Sequence, residues 1–394
     1  QMDRLAKAGA VLESHYVQPV CSPTRAALMT GRYATRTGVY QVVRPKAKWG
    51  LPLNERTLAN ALHDAGYETA ITGKWHLGDF EPAYLPTARG FDHQYGHYFG
   101  AIDYFDHTRD GMDDWYRDDK PLKEEGYSTH LVAKEACRLI AERNKSKPLF
   151  LYVPFNGIHA PHQVPDKYLE PYSSLTGAKQ KLAGMLAAVD EAVGQIVAAL
   201  ETTGMRENTL IVFSSDNGGP SQTDNTPLKG IKGSIDEGGV RGCAFANWPG
   251  HIPGGVRIKE PVHIIDWYPT FIKLAGGSLE QKLPIDGKDI WPVLTEGAHS
   301  PHESILCVKS PTSAAVRMGD WKLVINDGPD DDNATAKSKK KKAKAAVKGP
   351  ALYNLATDIS EEQNLADKEP NRVIAMRAKL QQWLKDAVPS GAKP

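Results

Sequence analysis

The sequence predicts an α/β protein with a mostly parallel central sheet flanked by helices, followed by a smaller α+β subdomain. Through the first 300 residues amphipathic helices alternate with short apolar strands, which is the order expected when each strand returns to one sheet through a helix. After Ser300 short strands follow one another around tight turns, as in an antiparallel sheet. We therefore expect a main domain over residues 1–300 and a subdomain over 301–394.

Composition excludes several classes of protein. Of the 394 residues, 41% are apolar, and 48 basic residues nearly balance 47 acidic ones to give a net charge of +1. No global field therefore favours nucleic acid, and any preference for anions must be local. No run approaches the roughly 20 apolar residues that span a bilayer, so no membrane span is expected. The four cysteines are far apart, which disfavours a zinc ribbon or a disulfide scaffold.

The first helices are predicted over Met2–Ala8, Pro23–Thr30 and Glu55–Ala65. A glycine follows each of them, which is a common C-terminal stop, and Pro23 suits the first helical turn. Cys21 is therefore expected directly before the N-terminus of the second helix.

Polar side chains follow the ends of three predicted strands. The strands cover Tyr67–Thr72, Pro148–Pro154 and Thr209–Phe213, and helices over Leu131–Arg143 and Lys181–Glu201 precede the last two. The apolar strand over Pro148–Pro154 is of the kind that is buried on both faces. Because the carboxyl ends of parallel strands meet at one edge, we expect the polar groups that follow to converge there. These groups are Lys74, His76, His159, Asp216 and Asn217.

The subdomain is predicted to contain three strands and a final helix, over Ala314–Met318, Trp321–Ile325, Leu352–Leu355 and Arg372–Ala387. Between the second and third strands, residues 327–348 hold an acidic cluster and then seven lysines. Like-charge blocks of this kind are usually disordered, so we expect a solvated loop insertion. A tail that docks onto a polyanion is the alternative.

The pentapeptide from Cys21 to Arg25 is the most informative in the chain. A thiol at a helix N-terminus faces unpaired backbone N–H groups, and Arg25 lies one turn further into the helix. That arrangement favours an anion. From these residues alone, Cys21 is either a buried free cysteine beside a capped helix or a nucleophilic thiol of lowered pKa.

The run CSPTRAALMTGR, residues 21–32, resembles the signature of the type I sulfatases, in which the cysteine is oxidised to formylglycine. Four further blocks match that family in its order, at residues 73–78, 156–161, 215–219 and 230–241. Residues 95–104 and 313–323 look closest to the arylsulfatase B (N-acetylgalactosamine-4-sulfatase) branch. The resemblance implies an alkaline-phosphatase-like fold and hydrolysis of sulfate monoesters.

The resemblance also implies how the nucleophile works. A maturation enzyme would oxidise Cys21 to formylglycine, whose hydrate carries two hydroxyls on one carbon. One hydroxyl displaces the alcohol and forms a covalent sulfate ester, and loss of the other hydroxyl's proton releases sulfate. A thiol would have no comparable way to reset.

Five further catalytic residues are implied by the matching blocks. Arg25 and Lys74 would hold and neutralise the oxygens of the hydrate and the sulfate. His76 would hydrogen-bond the hydrate and take the proton when sulfate leaves. Lys232 and His159 would contact the sulfate and protonate the departing alcohol.

A divalent cation is implied at Asp216 and Asn217, together with the converted Cys21. Their hard oxygen ligands suit Ca²⁺, or Mg²⁺. Family members normally begin with a strand that ends in paired aspartates, and no such pair precedes Cys21. We therefore expect a metal site short of anionic ligands, a gap in the main sheet, and an N-terminally incomplete fragment, with a pseudo-enzyme as the alternative.

The expected substrate is a sulfated small molecule or saccharide, such as a glycosaminoglycan-like or algal polysaccharide. Two other functions stay open. One is a phosphodiesterase or phosphonate monoesterase of the same superfamily, and the other is an inactive protein that binds sulfated glycans. Resemblance to the family also favours a periplasmic, extracellular or lysosome-like location.

Overall fold

The computed structural model describes residues 1–326 and 349–391. The charged insertion predicted at 327–348 therefore lies outside the described residues. The helices are α1 (Met2–Lys7), α2 (Cys21–Thr30), α3 (Ala34–Thr37), α4 (Leu58–Asp64), α5 (Ser128–Glu142), α6 (Gly177–Thr202), α7 (Glu237–Val240), α8 (Trp267–Leu274), α9 (Trp291–Thr295) and α10 (Pro370–Leu384).

The described residues form seventeen strands, six of which the sequence predicts, with ends displaced by a few residues. They are β1 (Ala10–Leu12), β2 (His15–Tyr16), β3 (Glu68–Lys74), β4 (His93–His97), β5 (Thr108–Arg109), β6 (Met112–Asp113), β7 (Tyr116–Arg117), β8 (Lys120–Pro121), β9 (Leu149–Tyr152), β10 (Ile211–Ser214), β11 (Ala244–Asn247), β12 (Val256–Ile258), β13 (Val262–His263), β14 (Ile305–Ser310), β15 (Ser313–Met318), β16 (Trp321–Asn326) and β17 (Ala351–Asn354).

Helix α2 lies in the protein interior. Its N-cap residue, Val20, has an extended backbone, and Gly31 ends the helix with a φ of 67°, a conformation that glycine adopts without strain. Cys21 is the first residue of the helix, which therefore begins two residues earlier than the sequence predicts. Its backbone therefore belongs to the turn whose N–H groups have no intrahelical partner.

The main α/β part holds two mixed sheets. In the first, with strand order β8-β7-β4-β3-β9, strand β3 pairs in parallel with both β4 and β9. In the second, with order β10-β11-β1-β12, β11 runs antiparallel to β10 and β1, and β12 runs parallel to β1. Strands β3 and β9 bring their carboxyl ends to one edge, as the sequence predicts, but the third predicted strand, β10, lies in the second sheet.

A cleft separates the two sheets. Strands β9 and β10 are the terminal strands that border it, and each pairs on one side only among the described residues. The cavity has a volume of about 1910 Å³ and is lined by both strands and the apolar face of α6. Strand β9 is consequently half-buried, so the prediction of burial on both faces is wrong.

Helix α6 is, by length and composition, apolar enough to cross a membrane, which the sequence analysis did not expect. Its buried side chains include Leu182, Met185 and Val189, and the helix packs against α5. Core helices of globular proteins have the same length and composition.

The C-terminal part is an antiparallel sheet in the order β14-β15-β16-β17, with α10 packed on β15. Its apolar side chains share a core with the main part: Leu306, Val316 and Leu323 pack in one cluster with Ala10 and Leu12. Because the core is continuous, the division at residue 300 stays a prediction. All four cysteines are unpaired.

Candidate active site

The structure brings Cys21 together with residues from two distant segments. Lys232 Nζ lies 3.5 Å from Cys21 Sγ, and Sγ lies 3.6 Å from Asn217 Oδ1. Asn217 follows β10, and Lys232 belongs to the loop that leads to α7. Cys21 itself is 2% exposed. The thiol therefore lies under a cation at the open N-terminus of α2.

Arg25, one turn along α2, joins Asp216 to the end of β3. Its Nε and Nη2 donate to Asp216 Oδ2 at 3.2 and 2.9 Å, and its Nη1 donates to the backbone carbonyl of Lys74 at 2.8 Å. The same Nη1 lies 3.4 Å from the hydroxyl of Tyr152. The guanidinium is thus fixed from three sides, with its charge one helical turn from Cys21.

His76 is held in one tautomer by its surroundings. Its Nε2 donates to the carbonyl of Val43 at 2.9 Å, which leaves the lone pair on Nδ1. That Nδ1 atom is buried and has no partner among the described residues. Ser22 Oγ donates to the His76 carbonyl at 2.9 Å and accepts the N–H of Val43 at 3.0 Å. The backbone of His76 is therefore tied to the second residue of α2.

His159 is fixed through its other ring nitrogen and its carbonyl. Its Nδ1 donates to the carbonyl of Ala160 at 2.7 Å, and its own carbonyl accepts the hydroxyl of Tyr104 at 2.8 Å. The remaining nitrogen, Nε2, carries the lone pair in the neutral ring. Lys74 and Lys232 are the charged groups that act most strongly on this histidine.

The site is strongly cationic. Burial, together with the neighbouring Arg25, lowers the pKa of Lys74 to about 8. Burial and the charges of Lys74 and Lys232 lower the pKa of His159 to about 3. Burial resists ionisation of Asp216, but Arg25 and the two lysines hold its pKa well below the usual range. The resting site therefore combines three cations with one carboxylate, and it suits an anionic ligand.

The histidines are neutral for the same reason. Burial, followed by the charges of Lys74 and Arg25, lowers the pKa of His76 well below its ordinary value. A neutral ring with its lone pair on Nδ1 can accept a proton. His76 is thus neutral near neutral pH, with the Nδ1 lone pair free to accept a proton.

The donor set for a metal is incomplete. No group of three or more histidine, cysteine, aspartate or glutamate side chains suited to a metal occurs in the part of the chain that the structure describes. Asp216 Oδ2 is already occupied by Arg25, and Asn217 adds one amide oxygen. A calcium ion takes six to eight oxygen ligands. The described residues alone therefore do not make a complete calcium site.

Sequence reasoning missed two contributors to the site. Tyr152 is the last residue of β9, and its hydroxyl reaches Arg25; within an apolar run it looks like a core residue. Ser22, next to Cys21, links His76 to Val43. A tyrosine at the carboxyl end of a strand is the signal that could have indicated the first.

The profile of the sulfatase family matches residues 1–278. The chain belongs to the sulfatase family. Arylsulfatase J of Mus musculus is 34% identical to it over 98% of this chain and 72% of the mouse protein. Arylsulfatase A of Homo sapiens is 31% identical over 92% of the chain and 78% of its own length. This sulfatase is accordingly a sulfuric ester hydrolase, and the arylsulfatase B branch stays a prediction.

Solved structures show the same fold. Ps i-CgsB, determined in complex with k-i-k-neocarrahexaose, superposes with a TM-score of 0.89 at 32% identity over 99% of this chain and 88% of that one. The PsFucS1 sulfatase from Pseudoalteromonas sp. superposes with a TM-score of 0.78 at 25% identity over 98% and 85%. Phosphonate monoester hydrolase of Agrobacterium radiobacter, at 20% identity and a TM-score of 0.68, shares the fold alone. The alkaline-phosphatase-like fold predicted from the sequence is confirmed.

Proposed function

We propose that this sulfatase hydrolyses a sulfate monoester through formylglycine made from Cys21. The observation that carries the proposal is the contact of Lys232 Nζ with Cys21 Sγ beside Asn217 Oδ1. It puts the nucleophile position, a cation and a polar oxygen within one small volume at a helix N-terminus, where anions are favoured.

Formylglycine would supply a hydrated aldehyde whose two hydroxyls can, in turn, attack sulfur and release sulfate. Arg25 and Lys74 neutralise the charge of the bound sulfate and orient it toward residue 21. His76 takes the proton of the second hydroxyl at Nδ1, because its Nε2 already donates to Val43. Positioned charges and a positioned base are the two contributions that the chain itself makes.

The departing alcohol needs a proton as the sulfur–oxygen bond breaks. Lys232 donates it directly, and His159 assists at Nε2 once it is protonated. In the free site the charges of Lys74 and Lys232 depress the pKa of His159. The negative charge of bound sulfate offsets them and so favours protonation of His159. One water is consumed overall, and the products are the alcohol, sulfate and a proton.

We propose a sulfated saccharide as the substrate. The structure of Ps i-CgsB holds k-i-k-neocarrahexaose, and relatives at 32% identity include N-acetylgalactosamine-6-sulfatase of Rattus norvegicus, of which this chain covers 65%. Both support a sugar ester without naming the sugar. The proposal also requires a formylglycine-generating partner, and the relatives favour work outside the cytoplasm.

Asp216 and Asn217 are the residues that would hold a Ca²⁺ or Mg²⁺ ion, together with oxygens of the converted Cys21 and of sulfate. Such an ion would supply further positive charge at the sulfate. Because the described donors do not complete its coordination, no step above depends on it.

The test compares the purified, converted protein on 4-nitrophenyl sulfate, bis(4-nitrophenyl) phosphate and 4-nitrophenyl phenylphosphonate. The proposal expects the highest kcat/KM on the sulfate. A preference for either phosphorus ester would make the protein a phosphodiesterase or phosphonate monoesterase. Binding of a sulfated oligosaccharide without turnover of any ester, after full conversion, would support a glycan-binding protein instead.

A further inference from the structure

Lys322 of β16 lies in the interior between two carboxylates. Its Nζ is 2.9 Å from Glu237 Oε1 and 2.9 Å from Glu361 Oε1. All three residues are at most 1% exposed. Removing such charges from water is costly, and apolar residues of the same volume often stabilise a fold equally well. Stability alone therefore does not explain the group.

Glu237 is fixed through both its side chain and its main chain. Its Oε2 accepts the hydroxyl of Tyr16 at 2.8 Å and Arg241 Nη1 at 3.3 Å, and its backbone N–H donates to Glu361 Oε2 at 2.7 Å. Arg317 donates to the same Tyr16 hydroxyl at 2.7 Å. The buried ion cluster therefore comprises Tyr16, Glu237, Arg241, Arg317, Lys322 and Glu361.

The cluster lies at the base of the loop that carries Lys232. Four residues separate Lys232 from Glu237, where α7 begins. Between them the loop is pinned at the active site: Lys232 N donates to the carbonyl of Gly219, and Gly233 N donates to that of Pro19, each at 2.9 Å. Fixing Glu237 therefore limits where the side chain of Lys232 can reach.

The backbone around Glu237 also supports Asn217. The N–H of Gly218, the next residue, donates to the carbonyl of Gly239 at 2.9 Å, and Gly239 N donates to the carbonyl of Asp236 at 2.9 Å. Both residues that contact Cys21 thus depend on the backbone around Glu237.

A second link joins the loop to the C-terminal part. Lys229 Nζ donates to the hydroxyl of Tyr353 and to the carbonyl of Glu361, each at 3.2 Å. Lys229 lies three positions before Lys232, and Glu237 lies after it. Residues beyond position 300 therefore hold the loop both before and after Lys232.

We propose that Glu361 and Lys322 are positioning residues that hold Lys232 against the nucleophile position through Glu237. The inference rests on the proposed function, in which Lys232 protonates the departing alcohol. On this account the C-terminal sheet contributes to catalysis by positioning Lys232.

The substitution Glu361→Gln tests the proposal. It keeps the size of the side chain and one acceptor but removes the charge that Lys322 balances. A small displacement of Lys232 is expected to lower kcat/KM by up to about 10²-fold. The loss should be greater for phenyl sulfate than for 4-nitrophenyl sulfate, because the poorer leaving group depends more on the proton from Lys232.

The decisive comparison uses a second background. If Glu361 acts through Lys232, Glu361→Gln should change little further in a Lys232→Ala protein. An equal loss in both backgrounds, or a loss that ignores the leaving group, would overturn the proposal. Glu135→Gln is the matched control, because Glu135, on α5, is a buried glutamate paired with Arg117, Arg138 and His93. This substitution should leave the leaving-group dependence unchanged.

If Glu361→Gln does not fold, Lys229→Met replaces it, because the Lys229 side chain is 42% exposed and its loss perturbs the interior less. The same non-additivity with Lys232→Ala is expected, and additive losses would again refute the link.

Hydrogen exchange separates failure of this inference from failure of the proposed function. Amides of residues 231–239 should exchange faster in Glu361→Gln than in the unsubstituted protein. Their exchange rates should be unchanged in Glu135→Gln. If the unsubstituted protein releases no sulfate, the proposed function fails. Faster exchange of residues 231–239 in Glu361→Gln would still support the link between Glu361 and the Lys232 loop. Unchanged exchange in Glu361→Gln would overturn the positioning role whatever the activity.

Discussion

Lys232 Nζ lies 3.5 Å from Cys21 Sγ, although 211 residues separate the two in the chain. The sulfur marks the place where a hydroxyl of the converted residue would stand. A full positive charge therefore lies beside that place, and Arg25 and Lys74 add further positive charge to the site. The electrostatic character of the site follows from this arrangement, and it leads to the following predictions.

The activity should fall at alkaline pH with an apparent pKa near that of Lys74. Burial lowers the pKa of Lys74 to about 8, so the side chain loses its charge above that pH and the attraction for sulfate weakens. We expect kcat/KM for 4-nitrophenyl sulfate to decline above pH 8. In Lys74→Arg, whose guanidinium stays charged, the decline should disappear at lower overall activity. A wild-type profile that is flat to pH 10 would contradict the assignment.

Removing the Lys74 cation and removing the Asp216 carboxylate should change the free energy of unfolding in opposite directions. The pKa of Lys74 falls from 10.5 to about 8 on folding, so at pH 7 its charge opposes folding, and Lys74→Met should stabilise by at most about 3 kcal/mol. Asp216→Asn removes the carboxylate that balances Arg25 and should destabilise by about 1–2 kcal/mol, since Asp216 is partly exposed. Urea unfolding at pH 7 measures both. Shifts of the same sign would contradict the cationic site.

Calcium should bind this chain weakly in the absence of sulfate. Three cations surround the one carboxylate that the site offers, and Arg25 already occupies it. A dissociation constant above 1 mM would limit the stabilisation by 1 mM Ca²⁺ to less than about 0.4 kcal/mol, which thermal unfolding with Ca²⁺ or EDTA would measure. Stabilisation by several kcal/mol would show a complete metal site.

Gly100→Ala should impair catalysis while the protein remains folded. A Cβ at this position would collide with the Cε1 and Nε2 atoms of the His76 ring, and the ring would have to give up its hydrogen bond to Val43. Because His76 takes a proton only when that bond fixes its tautomer, we expect kcat to fall by about 10²-fold. Gly111→Ala, where a Cβ meets nothing within 4 Å although φ is positive, serves as the control. Equal activities in the two variants would argue against the role of His76.

Most of the fold follows from local patterns in the sequence. The helix at Cys21–Thr30 is marked by a proline in its first turn and a glycine at its end. The strand that ends at Lys74 is marked by its β-branched residues, which favour strands. The parallel order of β9, β3 and β4 places Lys74 at a strand end, where ligands gather. The second sheet is harder to foresee, because β10 and β11 pair antiparallel across a loop of 29 residues (215–243).

Only part of the candidate site can be predicted from the sequence. The blocks around Cys21, Lys74 and Lys232 predict its members, but no local pattern indicates the proposed dependence of Lys232 on a glutamate at position 361. Long-range pairs between buried charges leave no periodicity. For the same reason Lys322, within an ordinary strand, does not stand out until β16 packs beneath the loop.

The most direct test of the central claim is sulfate release from 4-nitrophenyl sulfate as a function of the converted fraction of residue 21. The protein would be made with graded amounts of a formylglycine-generating enzyme, and peptide mass would give the fraction converted. The account predicts a rate proportional to that fraction, and no release by Cys21→Ala. Undiminished release by unconverted protein or by Cys21→Ala would contradict it.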